Sequence, residues 1–242
     1  MTKKTKLYFG TILCIIILCV IMGGITRMSY SGYESFDKME RGENLQKFDV
    51  VFDQVDEYDG FVEKVENYND LEKSADLIVK VSSTNERKLY LGATTKTKVT
   101  VREVFKGDAS IGQSIFVYEP AGFSYSVVQN YESIGGYQLM KTGEEYYLFL
   151  QKLKTADGYC MSDEERNTYR PSTATYSKFP VSSGKLNILE RKKLNRGRYS
   201  YGEVEKEEII TADKVVLSKY EKIKKEAVGK LVKETRKQIQ GI

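Results

Sequence analysis

The chain has 242 residues, with 38 lysines and arginines against 34 aspartates and glutamates. It contains no histidine, which excludes serine–histidine and cysteine–histidine catalysis and the histidine-based zinc motifs. It contains no tryptophan either, so carbohydrate platforms built on tryptophan are excluded. Lysines at positions 3, 4 and 6 account for most of the net charge of +4, and the nearly neutral remainder argues against nucleic-acid binding.

An uncharged apolar run begins at Leu7 and ends at Ile25. As a helix, these 19 residues would span about 28 Å, the thickness of a bilayer's hydrocarbon core. Lysines precede the run and only Arg27 follows it closely, so the positive-inside rule places the N-terminus in the cytoplasm. The sequence therefore predicts a cytoplasmic tail (residues 1–6), a single membrane anchor (residues 7–25) and an extracytoplasmic remainder.

A cleaved signal peptide is the alternative, although Gly23, Gly24 and Thr26 give only a loose cleavage site. Either interpretation places the bulk of the chain outside the cell. Only Cys160 lies outside the apolar run, so no disulfide can form within the remainder. An extracellular domain without disulfides or N-glycosylation acceptors is typical of the surface of a Gram-positive bacterium.

The remainder divides into three parts by composition and periodicity. Residues 26–60 are polar and without a sustained period, which predicts a stalk or linker. Residues 61–210 carry a short helix over residues 61–75 and then alternating apolar segments, which predict a mainly β domain. Residues 211–242 predict a C-terminal helix.

Four segments have the alternation or apolar content of strands: residues 75–82, 94–105, 113–119 and 145–153. In the second segment Val99 and Val101 share a face, whereas Val104 falls on the opposite face. Such a change of phase predicts a β-bulge in a bent barrel strand, and Gly107 predicts the turn that follows. The fourth segment is apolar on both faces and should be the most buried strand. Weaker strands are predicted over residues 176–181 and 185–189.

Residues 120–143 read as a long connection rich in tyrosine, serine and glycine. Long loops in compact domains often carry function. Tyr125, Tyr131 and Tyr137 are therefore candidate binding residues.

The C-terminal segment has apolar residues at spacings of three and four, which predict an amphipathic helix packed on the barrel. These residues are Val216, Tyr220, Ile223, Ala227 and Leu231. Thr211 or Asp213 can cap the start of this helix. Its nine basic residues, against four acidic ones, leave membrane or partner binding as the alternative role.

The order of the motifs ADLIVKV, TKVTVREVFKG, GQSIFVYEPAG and GGYQLMKTGEEYYLFL resembles a class of uncharacterised extracytoplasmic domains of Gram-positive bacteria. The resemblance covers roughly residues 70–154. It implies a small OB-like β-barrel and no particular activity. Such barrels are similar to the netrin-like modules of metalloprotease inhibitors, but those inhibitors act through a disulfide-tethered N-terminal cysteine that this chain lacks.

Charged residues supply the remaining candidates. A basic stretch contains Lys185, Arg191, Lys192, Lys193, Arg196 and Arg198. It could bind an anionic wall polymer or lipid headgroups, with a solvated hairpin as the alternative. Its candidate binding residues are Lys192, Lys193, Arg196 and Arg198. The acidic residues at 163–165 match no known metal-binding loop and predict a solvated loop. Serine and lysine have the S-x-x-K spacing at residues 35–38 and 182–185, but neither pair has the accompanying catalytic motifs.

Together these features predict a single-pass, membrane-anchored binding or interaction module with no catalytic centre, metal or cofactor. Its predicted fold is an OB-like barrel preceded by a short helix and followed by a long C-terminal helix. Its predicted partners are the membrane and a cell-surface protein or anionic wall polymer. A hydrolase of cell-surface material that works through carboxylates is the main alternative, and a protease inhibitor that uses residues 125–137 is the second.

Overall fold

The computed structural model describes residues 3–30, 44–53, 65–90, 94–124 and 129–240. The helices in these ranges are α1 (Lys3–Tyr30), α2 (Tyr68–Ser74), α3 (Asp163–Arg166), α4 (Arg191–Leu194), α5 (Tyr201–Val204) and α6 (Lys214–Gln240). The strands are β1 (Asp49–Asp53), β2 (Leu77–Tyr90), β3 (Thr94–Lys106), β4 (Ser114–Glu119), β5 (Ala121–Ser124), β6 (Asn130–Ile134), β7 (Glu145–Lys152), β8 (Thr168–Pro171) and β9 (Lys178–Pro180).

Five strands close into a barrel in the order β2-β3-β4-β8-β7, with β7 pairing back to β2. Strands β4 and β8 are parallel, and the other pairs of the barrel are antiparallel. Strand β9 adds to β7 on the side away from β2. The predicted mainly β fold with a barrel and a C-terminal helix is therefore confirmed.

The barrel interior is filled by the alternating side chains that the sequence predicted. Val79, Val81, Val99 and Val101 are all fully buried there. The predicted bulge is also present, because Arg102, between Val101 and Val104, is skipped where β3 pairs with β2. Gly107 then adopts φ +88°, and a Cβ at this position would collide with the carbonyl oxygen of Asp76, so the turn requires glycine.

Strand β7 is buried on both faces, as predicted from its two-sided apolar pattern. Tyr146, Leu148 and Leu150 face the barrel interior. Tyr147 and Phe149 face a second core formed with α2 and α6. The strand therefore joins the barrel to the helical layer.

The predicted long connection over residues 120–143 includes two strands in its described part, which corrects the interpretation as a single loop. It contains β5 and β6, which form a three-stranded sheet with β1. Phe48 and Phe123 pack edge to face in this sheet's core, with ring centroids 5.5 Å apart. Residues 44–53 consequently belong to the fold, although the sequence placed them in the stalk.

A close backbone contact at Gly136 connects the segment after β6 to the chain before α6. Gly136 has φ +79° and its carbonyl accepts a 2.9 Å hydrogen bond from the Ile210 amide. A Cβ at Gly136 would collide with the carbonyl oxygen of Ile210. The close approach of the two backbones therefore requires glycine.

The C-terminal helix packs its predicted apolar stripe against the barrel. Tyr220, Ile223, Ala227 and Leu231 are at most 1% exposed in the core shared with α2 and β7. The Asp213 carboxylate accepts hydrogen bonds from the amides of residues 215 and 216, so Asp213 is the N-cap. Of the predicted entry helix, residues 61–64 lie outside the described ranges, and within residues 65–75 the helix covers Tyr68–Ser74.

At the N-terminus, α1 covers the apolar run. In the described part of the chain no helix is both long enough and apolar enough to cross a membrane, so the predicted transmembrane helix gains no support from the structure.

A buried ion pair fixes α6 to the segment that precedes it. The Glu208 side chain is 1% exposed, and its carboxylate lies 2.6 Å from the Lys224 ammonium on α6. The same carboxylate accepts hydrogen bonds from the Tyr220 hydroxyl (3.1 Å) and the Gly184 amide (2.8 Å). Removing the cation would leave a buried carboxylate with neutral donors alone.

We therefore expect Lys224→Met to lower the free energy of unfolding by about 3 kcal/mol, the typical cost of breaking a buried pair. Lys225→Met, at the next and exposed position of the same helix, should change it by less than about 0.5 kcal/mol. Urea unfolding of the full chain in detergent measures both values. Equal effects of the two substitutions would contradict a structural role for the pair.

Candidate binding surfaces

Helix α4 and the turn after it hold the predicted basic stretch on a fixed piece of backbone. Leu194 is 2% exposed and packs in the core of the small sheet. The Tyr199 carbonyl accepts a 2.8 Å hydrogen bond from the Val50 amide of β1. The chain between these two points is short, so its side chains project from a supported segment.

The four predicted cations of this stretch divide into two kinds. Lys193 lies 2.5 Å from Glu203 and 4.1 Å from the centre of the Tyr199 ring, and its hydrogen bond to Glu203 raises its pKa. Lys192, Arg196 and Arg198 are exposed, and their side chains contact no carboxylate within the residues that the structure describes. We call Lys192, Arg196 and Arg198 the basic surface.

The predicted tyrosine surface is not brought together. Tyr131 is fully buried and Tyr137 is 3% exposed. Burial raises the pKa of both hydroxyls well above the usual value. The Tyr131 hydroxyl accepts a 3.0 Å hydrogen bond from the Leu139 amide, which fixes the chain after β6. Both side chains therefore serve the core, and Tyr125 lies outside the described residues.

A cleft of about 90 Å³ lies beside β9, between the end of the barrel and the chain that follows α5. Its walls include Glu144, Tyr146, Lys178, Ser182, Ser183 and Glu208. The second S-x-x-K serine is thus at its edge, where residues 182–185 are exposed. The first S-x-x-K pair lies outside the described residues.

Lys178 is the chemically distinctive residue of the cleft. Its side chain is 7% exposed, and its amine donates a hydrogen bond to the Gln138 carbonyl. The amine also lies 4.3 Å from the centre of the Tyr137 ring and 5.3 Å from that of Tyr146. The sequence did not single out Lys178, because a lysine in a short strand ordinarily lies on the solvent face.

Burial lowers the pKa of the Lys178 amine from 10.5 to about 8. Glu119, Glu208 and Glu144 oppose this effect, and Arg87 adds to it. Glu119 is itself fully buried and accepts a 2.8 Å hydrogen bond from the Met140 amide, while Arg87 donates to the Met140 carbonyl. The charges behind the cleft therefore form a connected network held by backbone groups.

The acidic residues at 163–165 have structural partners. Asp163 pairs with Arg166, and Glu164 pairs with Lys96. Glu165 completes the capping box of α3 and accepts a hydrogen bond from Tyr159, which lowers its pKa to about 2. Within the described ranges, no group of acidic residues and cysteines is arranged to hold a metal ion.

No protein-family profile matches the chain, and no curated protein shows significant similarity to it.

Lys178 gives a pH-dependent prediction. Its pKa is lower in the folded chain, so between pH 10.5 and 8 the unfolded chain takes up a proton that the folded chain does not. The stability penalty is therefore fully present below pH 8 and disappears as the pH rises towards 10.5. From pH 7 to pH 10, we expect the wild type to gain about 2–3 kcal/mol relative to Lys178→Met.

Urea unfolding of both proteins at several pH values measures this difference. The comparison cancels the titration of other groups, and methionine suits the aromatic surroundings of the site. A difference that is independent of pH would contradict the buried-amine interpretation.

Proposed function

We propose that this protein is a non-catalytic binding module at a Gram-positive cell surface, anchored in the membrane, and that its basic surface binds an anionic wall polymer. The observation that carries the proposal is the set of three exposed cations that have no carboxylate partner among the described residues, on a segment fixed to the core at both ends. Cations already neutralised within the protein would have little to offer a polyanion. A fixed set of free cations can bind repeated negative charges without a large cost in ordering.

The barrel supports the proposal at the level of fold class. Numbered along the barrel alone, its strands follow the order 1-2-3-5-4, with strands 3 and 5 parallel. We assign this arrangement to the OB-like class, in agreement with the sequence resemblance. Barrels of this class bind chain-like ligands such as oligosaccharides.

The membrane anchor is proposed from the sequence alone. The apolar run over residues 7–25 has the length of a bilayer's hydrocarbon core, and lysines precede it.

The carboxylate-hydrolase alternative is less well supported by the geometry. The glutamates around the cleft already accept hydrogen bonds: Glu144 from Tyr146, Glu205 from Gln46, Glu207 from Asn187, and Glu208 from Lys224 and Tyr220. A carboxylate held in this way is poorly placed to exchange protons with a substrate. The inhibitor alternative needs an exposed loop, whereas Tyr131 and Tyr137 are buried.

We expect the triple variant Lys192→Ala, Arg196→Ala and Arg198→Ala to bind purified Gram-positive cell walls at least tenfold more weakly than the wild type. Loss of three charge contacts at roughly 0.5–1 kcal/mol each predicts this change. Sedimentation of the full chain with walls, in detergent and at several salt concentrations, measures the affinity. Walls stripped of their phosphate polymers should bind both proteins equally weakly.

A matched control removes the same charge elsewhere. Lys222, Lys225 and Lys233 are exposed on α6, and their triple alanine variant should retain wild-type binding. If the α6 variant loses as much affinity as the first variant, binding follows net charge and the assignment to the basic surface is wrong.

The proposed membrane orientation can be tested separately at Cys160. This residue is exposed and is the only cysteine in the sequence beyond the apolar run. A membrane-impermeant maleimide should label the protein in intact cells, and Cys160→Ser should abolish this labelling. Labelling that occurs only after permeabilisation would contradict an extracytoplasmic domain. The intact mass of the membrane-extracted protein then distinguishes an anchor from a cleaved signal peptide, which would remove about 25 residues.

A further inference from the structure

The cleft beside β9 has an imbalance between its donors and its acceptors. Each of the four glutamates of its walls accepts a hydrogen bond: Glu208 from Lys224 and Tyr220, Glu207 from the amide and side chain of Asn187, Glu144 from Tyr146, and Glu205 from Gln46. Among the described residues the Lys178 amine makes one hydrogen bond, to the Gln138 carbonyl, although an ammonium carries three N–H donors.

Lys178 also has no carboxylate within salt-bridge distance among the described residues. Its other close neighbours are the faces of two tyrosine rings, which favour a cation but accept no conventional hydrogen bond. The walls further include Lys141, Lys206, Ser182 and Ser183. Hydrogen-bond donors without a partner among the described residues therefore remain at Lys178.

The cleft has room for a ligand group. Its volume of about 90 Å³ is several times what one water molecule needs. An oxyanion group can therefore enter it. The rest of a ligand would lie outside, where the exposed residues 182–185 form the rim.

We infer that this cleft is a binding site for the oxyanion group of a small molecule, with the Lys178 ammonium as its central donor. A carboxylate or a phosphate would supply the acceptors that the lysine lacks, in a charge-assisted hydrogen bond. This site involves none of the residues of the basic surface. Its existence does not depend on the proposed binding of a wall polymer.

The test follows the ¹⁵N signal of the Lys178 side chain in the full chain labelled with ¹⁵Nζ-lysine, in detergent at pH 6, where the amine is protonated. Acetate, N-acetylglycine and inorganic phosphate are titrated separately at constant ionic strength, with chloride as the reference. Lys178→Met assigns the signal, and Lys178→Arg provides the assignment if the first variant does not fold.

We expect a saturable shift of the Lys178 signal below about 10 mM of at least one probe, and no comparable shift with chloride. Saturation by acetate or N-acetylglycine alone identifies a carboxylate site, and saturation by phosphate alone identifies a phosphate site. Lys206→Ala, which removes a cation of the wall, should weaken binding two- to fivefold, whereas Lys225→Ala on the exposed face of α6 should not. A Lys178 signal that shows no saturable response to any of the three probes would overturn the inference.

Discussion

The fold depends on covering both faces of β7. One face supplies Tyr146, Leu148 and Leu150 to the barrel interior, and the other supplies Tyr147 and Phe149 to the core under α2 and α6. Neither core could form without the strand that they share. The long C-terminal helix is therefore part of the domain's hydrophobic core, which explains why its stripe is at most 1% exposed from Tyr220 onward.

A second constraint is the backbone segment over residues 137–141, which forms hydrogen bonds with buried charged side chains. Residues 137–141 lie beside Glu119, Arg87 and Lys178. The Met140 amide donates to Glu119, the Met140 carbonyl accepts from Arg87, and the Gln138 carbonyl accepts from Lys178. Buried charges are costly unless they are hydrogen-bonded, and here the backbone supplies many of the partners. The same arrangement leaves the Lys178 amine at the cleft with donors to spare. The candidate oxyanion site thus follows from the way the core satisfies its own polar groups.

Local patterns revealed the barrel but not the small sheet. Alternation in β2 and β3, the change of phase at Val104 and the two-sided apolar run in β7 are all visible within about ten residues of sequence. Strand β1 pairs with β6, which lies some eighty positions along the chain, and no local period reports such a pairing. The burial of Tyr131 depends on that pairing, so composition suggested an exposed loop instead. Lys178 was missed for the same reason, since its surroundings come from two distant segments, residues 137–138 and strand β7.

The inclusion of residues 44–53 in the small sheet also determines how far the domain can reach. With the anchor proposed above, the chain from the end of α1 at Tyr30 to the turn that begins at Leu45 is 15 residue steps, which can span at most about 50 Å. The stalk expected from the sequence would have allowed more than twice that length. A domain on such a short tether samples only the layer next to the membrane, so it would meet polymers at their membrane-proximal ends and not at the outer surface of the wall.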